Sequence, residues 1–154
     1  MAVKPIPDGY QTVTPYLTIE HPEAVMDFLK KAFDGKELYA MRDDQGQVQH
    51  AEMKVGSSML MFGRAHGEWH ARPGNFYLYV EDVDKSFQRA IDAGGQSKMP
   101  VADMFWGDRL GAFVDPFGHN WTIATHTQDM SLEELKEGEK KFYAQMQQAQ
   151  KKTA

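Results

Sequence analysis

Cysteine is absent from the 154-residue sequence. This absence excludes disulfide bonds, thiol nucleophiles and thiolate metal sites. Long apolar runs are also missing, since no segment approaches the roughly 20 consecutive apolar residues of a membrane-spanning helix, and the first residues lack the apolar core of a signal peptide. We therefore expect a cytoplasmic protein with no membrane partner.

Positive charge is scarce as well. Lys and Arg number 17 against 22 Asp and Glu, which gives a formal net charge of −5. Such a chain offers no basic surface to phosphate backbones, so we expect no nucleic-acid partner. The sequence also lacks a glycine-rich phosphate loop, a nucleophile elbow and a dinucleotide fingerprint. These absences indicate a small globular protein whose site is built from other residue types.

Two halves of the chain repeat one order of elements. The predicted strands, from apolar alternation and β-branched content, are residues 10–19, 37–42, 48–55, 58–62, 76–81, 97–104, 108–114 and 120–125. One helix is predicted to begin at Pro22 and end at Gly35, and a second to be capped by Asp82 and to end at Gly94. Gly35 and Gly94 match at an offset of about 60 residues. The repeat predicts an α+β fold made of two β-α-β-β-β modules.

A capping box predicts a final helix, because residues 131–134 are Ser-Leu-Glu-Glu. Its partly apolar stripe fits two arrangements: packing against its own domain, which we favour, or contact with a second subunit. We therefore predict one domain at residues 1–128, made of modules 10–62 and 75–126. Residues 129–154 form the C-terminal helix and tail.

A tight turn organises the second half of the chain. Asp115-Pro116-Phe117-Gly118 lies between two apolar runs. It predicts a strand–turn–strand, because Pro presets φ and Gly accepts a left-handed conformation. His119 follows this turn, where we expect it to serve the turn or a surface hydrogen bond.

Trp106, Asp108 and Arg109 precede that turn. These residue types suit a ligand site in which the indole stacks on a flat molecule and the guanidinium holds an anion. The alternative is structural, with Asp108 paired to Arg109 on the hairpin and Trp106 filling a cavity or a subunit interface. The sequence leaves both open.

His50 and Glu52 share one face of the strand at 48–55, opposite Ala51 and Met53. In a cleft, a His and a carboxylate serve as an acid–base pair or as half of a metal site. The alternative is a polar lining without chemistry, which we favour.

Paired β-α-β-β-β units that end in Asp-Pro-Phe-Gly-His resemble the vicinal oxygen chelate superfamily. This superfamily includes glyoxalase, extradiol dioxygenases, and the fosfomycin and bleomycin resistance proteins. Further stretches resemble its PhnB-like glyoxalase/bleomycin resistance branch: Thr-Pro-Tyr-Leu, His-Ala-Glu-Met-Lys-Val-Gly, Tyr-Val-Glu-Asp-Val-Asp and Trp-Gly-Asp-Arg. The resemblance implies a homodimer and an open eight-stranded, barrel-like cup. It leaves open whether the modules close the cup within one chain or across a swapped dimer.

The resemblance also implies metal ligands on the first and last strand of each module. Here those positions hold Thr14, Met61, Asn75 and Thr122. Two hydroxyls, a thioether and an amide suit a divalent ion poorly, because such ions prefer carboxylate or imidazole ligands. We therefore expect no metal cofactor.

The sequence leads to two functional hypotheses. The favoured one is a small-molecule-binding protein of the glyoxalase/bleomycin resistance type, which retains an organic molecule without changing it. The side chains expected to form its site are Thr14, His50, Glu52, Met61, Tyr77, Trp106, Asp108 and Arg109. The alternative is an enzyme, a glyoxalase-like lyase, an isomerase or a dioxygenase, that uses a divalent metal together with a His50/Glu52 acid–base pair.

Overall fold

The computed structural model describes residues 3–153, so residues 1, 2 and 154 of the predicted domain and tail lie outside it. The described chain contains eleven elements: β1 (Tyr16–Ile19), α1 (Pro22–Phe33), β2 (Lys36–Arg42), β3 (Val48–Val55), β4 (Ser58–Arg64), β5 (Asn75–Tyr79), α2 (Val83–Asp92), β6 (Gln96–Asp103), β7 (Asp108–Val114), β8 (Asn120–His126) and α3 (Leu132–Thr153). None of the described helices is both long and apolar enough to cross a membrane.

The eight strands form two separate four-stranded sheets. Sheet 1 has the order β1-β4-β3-β2, and sheet 2 has the order β5-β8-β7-β6. In each sheet the first and last strand of the module run parallel, and the other neighbours are antiparallel. The α+β class and the two β-α-β-β-β modules are therefore confirmed. The sheets are open and do not close into a barrel.

Helix α1 joins the two modules. It contacts β3 and β4 of sheet 1 and also packs on α2. Two of its aromatic rings reach sheet 2: Phe28 lies 6.2 Å from Phe113, and Phe33 lies 5.3 Å from Trp121, between ring centroids. These rings belong to one apolar core that spans both modules. Burial of this shared surface is what holds the halves together.

An ion pair fixes the two helices at the edge of this core. The guanidinium of Arg89 in α2 makes two 2.6 Å contacts with the carboxylate of Asp34, which follows α1, and its Nη2 donates to the backbone oxygen of Lys31. This bidentate geometry sets the orientation of α2 against the end of α1.

Each sheet has an inner face, which contacts the helices, and an outer face on the other side. On β3, Ala51 and Met53 are fully buried on the inner face, and His50 and Glu52 lie on the outer face. Because α1 packs between the two inner faces, the two outer faces are directed away from each other. A single chain therefore does not close the cup that the resemblance implies.

Several element ends differ from the sequence-based prediction, mostly by one or two residues, and two of the differences have a clear backbone cause. β1 begins at Tyr16 rather than at residue 10, because Pro15 has no N–H to donate to a neighbouring strand. α1 ends at Phe33, and Asp34 rather than Gly35 takes the left-handed conformation, with φ of 54°. A short polar side chain tolerates that conformation better than most.

The predicted turn and capping box are both confirmed. Gly118 has φ of 91°, and its N–H donates to the backbone oxygen of Asp115. The backbone N–H of Ser131 donates to the carboxylate of Glu134, whose own N–H donates to the Ser131 hydroxyl. α3 then packs on its own domain through Phe105, where a Cβ on Gly138 would meet the ring at 2.5 Å.

Candidate functional site

A buried carboxylate organises the outer face of sheet 2. Asp108, at the start of β7, is only 3% exposed. Its Oδ2 accepts hydrogen bonds from the hydroxyls of Tyr77 (3.2 Å) and Tyr79 (3.0 Å) and from Nε1 of Trp106 (3.2 Å). Its Oδ1 lies 2.7 Å from Nδ1 of His126. One acid thus fixes side chains from β5, from the β6–β7 loop and from β8.

Burial and the hydrogen bonds of Asp108 shift the pKa values within this group. Burial alone would raise the pKa of Asp108, but hydrogen bonds from its four donors outweigh burial and hold that pKa below its ordinary value. Hydrogen bonds to Asp108 and then to Asp129 raise the pKa of His126. Burial, followed by the charge of Asp108, raises the pKa of Tyr77, and a hydrogen bond to Asp108 raises that of Tyr79. The group is therefore a buried carboxylate whose charge is stabilised by the donors around it.

A second aromatic group covers the outer face of sheet 1. The ring of Tyr16 stacks on His50 with centroids 5.9 Å apart, and Tyr39 lies 6.4 Å from the same imidazole. Nε2 of His50 is 3.6 Å from Oε1 of Glu52. The hydroxyl of Tyr10 donates to Glu52, and this hydrogen bond is the main reason that the pKa of Tyr10 rises to about 12. Glu52 therefore anchors the N-terminal segment to the sheet.

The N-terminal segment borders an open groove of about 390 Å³ on this face. Thr14, Glu52 and Met61 line the groove together with Tyr10. Met61 lies on β4, between β1 and β3, where it pairs with Tyr16 of β1 on one side and with Glu52 of β3 on the other. Three of the residues expected from sequence therefore lie together on sheet 1.

The predicted site residues divide between the two outer faces. Tyr77, Trp106 and Asp108 meet on sheet 2. His50, Glu52 and Met61 lie on sheet 1, and Thr14 lies in the N-terminal segment beside Glu52 and Met61. Arg109 joins neither group. It lies on the inner face, where its guanidinium is 2.7 Å from Asp84 of α2 and 3.2 Å from Asp103 of β6. The structural alternative in which Asp108 pairs with Arg109 is wrong, since successive residues of a strand point to opposite faces.

The metal positions implied by the resemblance do not fit a divalent ion. By strand register, Met61 lies on sheet 1, and Asn75 and Thr122 lie on sheet 2. The hydroxyl of Thr14 already donates to the backbone oxygen of Gln11 at 3.1 Å. Elsewhere in the described residues, no three His, Asp or Glu side chains are grouped closely enough to hold a metal. Neutral hydroxyl, amide and thioether donors are weak partners for such ions.

Sequence reasoning missed Tyr10, Tyr79 and His126 as members of these groups. Strand alternation carried a signal for two of them, since Tyr79 shares a face with Tyr77, and His126 shares a face with Thr122. The contact between Tyr10 and Glu52 joins residues 42 positions apart and has no local signal.

Comparison with known families identifies the superfamily of the chain. Residues 11–123 match the Glyoxalase/Bleomycin resistance protein/Dioxygenase superfamily. The chain belongs to this superfamily. The match spans both modules and ends before α3. The chain is also similar to the uncharacterized protein Mb0911c of Mycobacterium bovis, with 29% identity over 134 residues that cover 80% of this chain and 88% of that protein.

Solved structures share the superfamily fold. TioX from Micromonospora sp. ML1 is 24% identical, with a TM-score of 0.66 over 75% of this chain and 98% of TioX. A PhnB protein from Bacillus cereus is 22% identical, with a TM-score of 0.61 over 75% of this chain and 99% of that protein. The resemblance to the PhnB-like branch is therefore confirmed at the level of fold. Fold alone does not assign a reaction.

Proposed function

We propose that the protein binds a small organic molecule between the outer face of sheet 2 in one chain and the outer face of sheet 1 in a second copy. A two-fold symmetric homodimer of this kind closes two identical cups. The protein holds its ligand without converting it, and no metal takes part.

The observation that carries this proposal is the exposure of aromatic rings on both outer faces. Tyr16, Tyr39, Tyr77 and Tyr79 are between 51% and 61% exposed. Rings grouped in this way are typical of ligand sites and subunit interfaces, where their burial is favourable. Because α1 separates the two faces within one chain, a second chain is needed to bring one face of each kind together.

The two faces offer complementary contacts to a ligand. Asp108 holds the rings of Tyr77 and Trp106 in place before the ligand arrives, so little rotamer freedom is lost on binding. His50 and Glu52 supply directional hydrogen bonds from the opposite side. Met61 adds a flexible apolar contact that adapts to ligand shape. Arg109 is left out of the proposal, since its guanidinium already pairs with two acids on the inner face.

The side chains at the implied metal positions support a protein that retains its ligand without metal chemistry. A metal-dependent member of the superfamily needs ligands that neutralise a divalent charge, and neutral Thr14, Met61, Asn75 and Thr122 do not supply them. We therefore derive no catalytic step from a metal at these positions.

Binding of the neutral fluorescent probe N-phenyl-1-naphthylamine tests the proposal. We expect Trp106→Ala to weaken binding about tenfold, because a central aromatic contact is removed. The control is Phe117→Ala, which removes an exposed ring at the β7–β8 turn. Equal affinity in the wild-type protein and Trp106→Ala would contradict a site on sheet 2.

Mixing two defective variants tests whether the cup is shared between chains. Trp106→Ala damages one face, and Tyr16→Ala damages the other. In a swapped dimer of one chain of each kind, one cup carries both defects and the other is intact. Random mixing should then restore about a quarter of the probe sites. No recovery on mixing, or a particle mass of 17.5 kDa rather than twice that value, would exclude the shared cup.

A second candidate function rests on the contact between His50 and Glu52. A 3.6 Å separation on an exposed face suits proton transfer in an isomerase or lyase, with Glu52 as the base. The two functions differ in the fate of the ligand. Recovery of bound ligand unchanged after prolonged incubation favours retention, whereas conversion that stops in Glu52→Gln but continues in Trp106→Phe favours the enzyme.

A further inference from the structure

We infer that a pocket at the junction of the two modules binds a small monocarboxylate with an apolar body. This junction pocket has a volume of about 400 Å³. It is bounded by the β1–α1 connection, by residues 71–73 and by the β7–β8 turn. The site lies away from both outer faces, so it is independent of the cup proposed above.

The first observation is an unpartnered imidazole nitrogen. His119 lines the junction pocket and is only 2% exposed, which corrects the expectation of a surface hydrogen bond. Its Nδ1 accepts a 2.9 Å hydrogen bond from the backbone N–H of Gly74, so the ring carries its proton on Nε2. That N–H has no hydrogen-bond partner in the described chain. Buried donors rarely lack a hydrogen-bond partner, so the unpartnered Nε2–H indicates that a bound molecule supplies the acceptor.

The Nε2–H of His119 is directed away from Gly74 by the geometry of the ring. The turn acid fixes the backbone that carries this ring, since the carboxylate of Asp115 accepts hydrogen bonds from the backbone N–H of His119 at 2.9 Å and from Nε1 of Trp121 at 3.0 Å. Solvent does not reach the unpartnered atom. Because water does not reach this atom, an acceptor oxygen of similar size contacts it only after a local shift of the pocket wall. The hydrogen bond is then shielded from water and correspondingly strong.

Positive charge converges on the same pocket. The backbone of Arg72 donates to the Thr18 oxygen, but its guanidinium forms no ion pair among the side chains described. Helix α1 begins beside it, and the N-cap residue His21 makes no side-chain capping bond. The N-terminus of α1 adds only a small contribution, because Pro22 has no N–H to offer and Glu23 already places an acid in the first turn. Together with His119, these groups favour an acceptor that carries negative charge.

The remaining walls limit the ligand to one charge and an apolar body. Ile19 and Val25 are buried behind the pocket, and Phe117 and Pro116 form its other side. Glu20 also lines it and is exposed. A second negative charge on the ligand would be repelled by that carboxylate, so a monocarboxylate fits better than a phosphate dianion.

Nitrogen-15 NMR of the side chains tests the inference, with benzoate as the probe. We expect benzoate to shift the Nε2 signal of His119 and the Nε signal of Arg72 with one saturable curve below about 20 mM. The neutral probe benzyl alcohol should bind at least about tenfold more weakly, and inorganic phosphate should leave both signals unchanged.

Variants separate a built site from non-specific anion binding. Arg72→Gln should weaken benzoate binding about tenfold, while Lys98→Gln, on the exposed β6 strand, should leave it unchanged. Trp106→Ala should leave it unchanged as well, and Phe117→Ala should weaken it. The inference is overturned if benzoate shifts neither signal, if both cation variants weaken binding equally, or if a crystal soaked in benzoate shows only a water on Nε2.

Discussion

The two outer faces hold their acids in different ways. On sheet 2, Asp108 is buried and accepts from four side chains on three segments of the chain. On sheet 1, Glu52 is partly exposed and is held by His50 and by one tyrosine of the N-terminal segment. Sheet 2 therefore holds its rings through one shared acid, and we expect the rings of sheet 1 to be more mobile. Repeated modules have thus become a rigid half and an adaptable half of one proposed cup.

The β6–β7 loop offers the sharpest test of this difference. Gly107 and its repeat equivalent Gly46 both have positive φ, 91° and 81°. A Cβ on Gly107 would overlap the backbone oxygen of Gln128, whereas a Cβ on Gly46 would meet nothing within 4 Å. We expect Gly107→Ala to lower the free energy of unfolding by about 3–5 kcal/mol, through strain and overlap together.

Gly46→Ala is the matched control for that variant. Its expected cost is about 1 kcal/mol, since only the left-handed backbone strain applies. Urea unfolding of both variants measures the difference. Equal losses would mean that the loop carrying Trp106 is no more constrained than a free turn, and the contrast between the faces would fail.

Removing the charge of each acid should give a smaller but still unequal effect. Asp108→Asn weakens several charge-assisted hydrogen bonds in a buried group, and we expect a loss of about 2–4 kcal/mol in the free energy of unfolding. Glu52→Gln keeps its shape on a partly exposed face and should cost less than about 1 kcal/mol. Urea unfolding at pH 7, followed by Trp fluorescence, compares them. A larger loss in Glu52→Gln would reverse the assignment of rigid and adaptable halves.

The repeat and the strand pattern were enough to predict the modules. Alternation along residues 48–55 correctly separated Ala51 and Met53 from His50 and Glu52, because a strand has only two faces. The Asp-Pro-Phe-Gly turn was equally readable, since its residues demand one backbone conformation. These elements could therefore be predicted from local sequence alone, without knowledge of tertiary contacts.

What the sequence did not reveal depends on contacts between distant segments. Arg109 has the chemistry of an anion site, but Asp84 on α2 engages it on the inner face. His119 was expected to serve the turn or a surface hydrogen bond, and the packing of both modules buries it, which leaves only the role in the turn. Neither outcome can be obtained from spacing along the chain, because both depend on how α1 and α2 pack.

The smallest predicted effect concerns pH and the imidazole of His126. Contacts with Asp108 and then Asp129 raise its pKa above the ordinary 6.5. Stability gained from a raised pKa is fully present below the unfolded value and is lost as pH rises through the folded value. The lowered pKa of Asp108 acts oppositely, so its contribution is present above 3.8 and is lost as pH falls through the folded value. The ion pair of His126 with Asp108 should therefore contribute most to the free energy of unfolding between about pH 3.8 and pH 6.5.

Comparison of His126→Gln with the wild-type protein checks this sign. We expect the difference in free energy of unfolding to be largest near pH 5–6 and to shrink towards pH 9, because the imidazole is then neutral. Asp129→Asn should lower the pKa of His126 only in part, since Asp108 is the stronger partner. An NMR titration that places His126 at or below 6.5 would show that Asp108 does not hold this side chain. The rigid half would then be reduced to its tyrosines and Trp106.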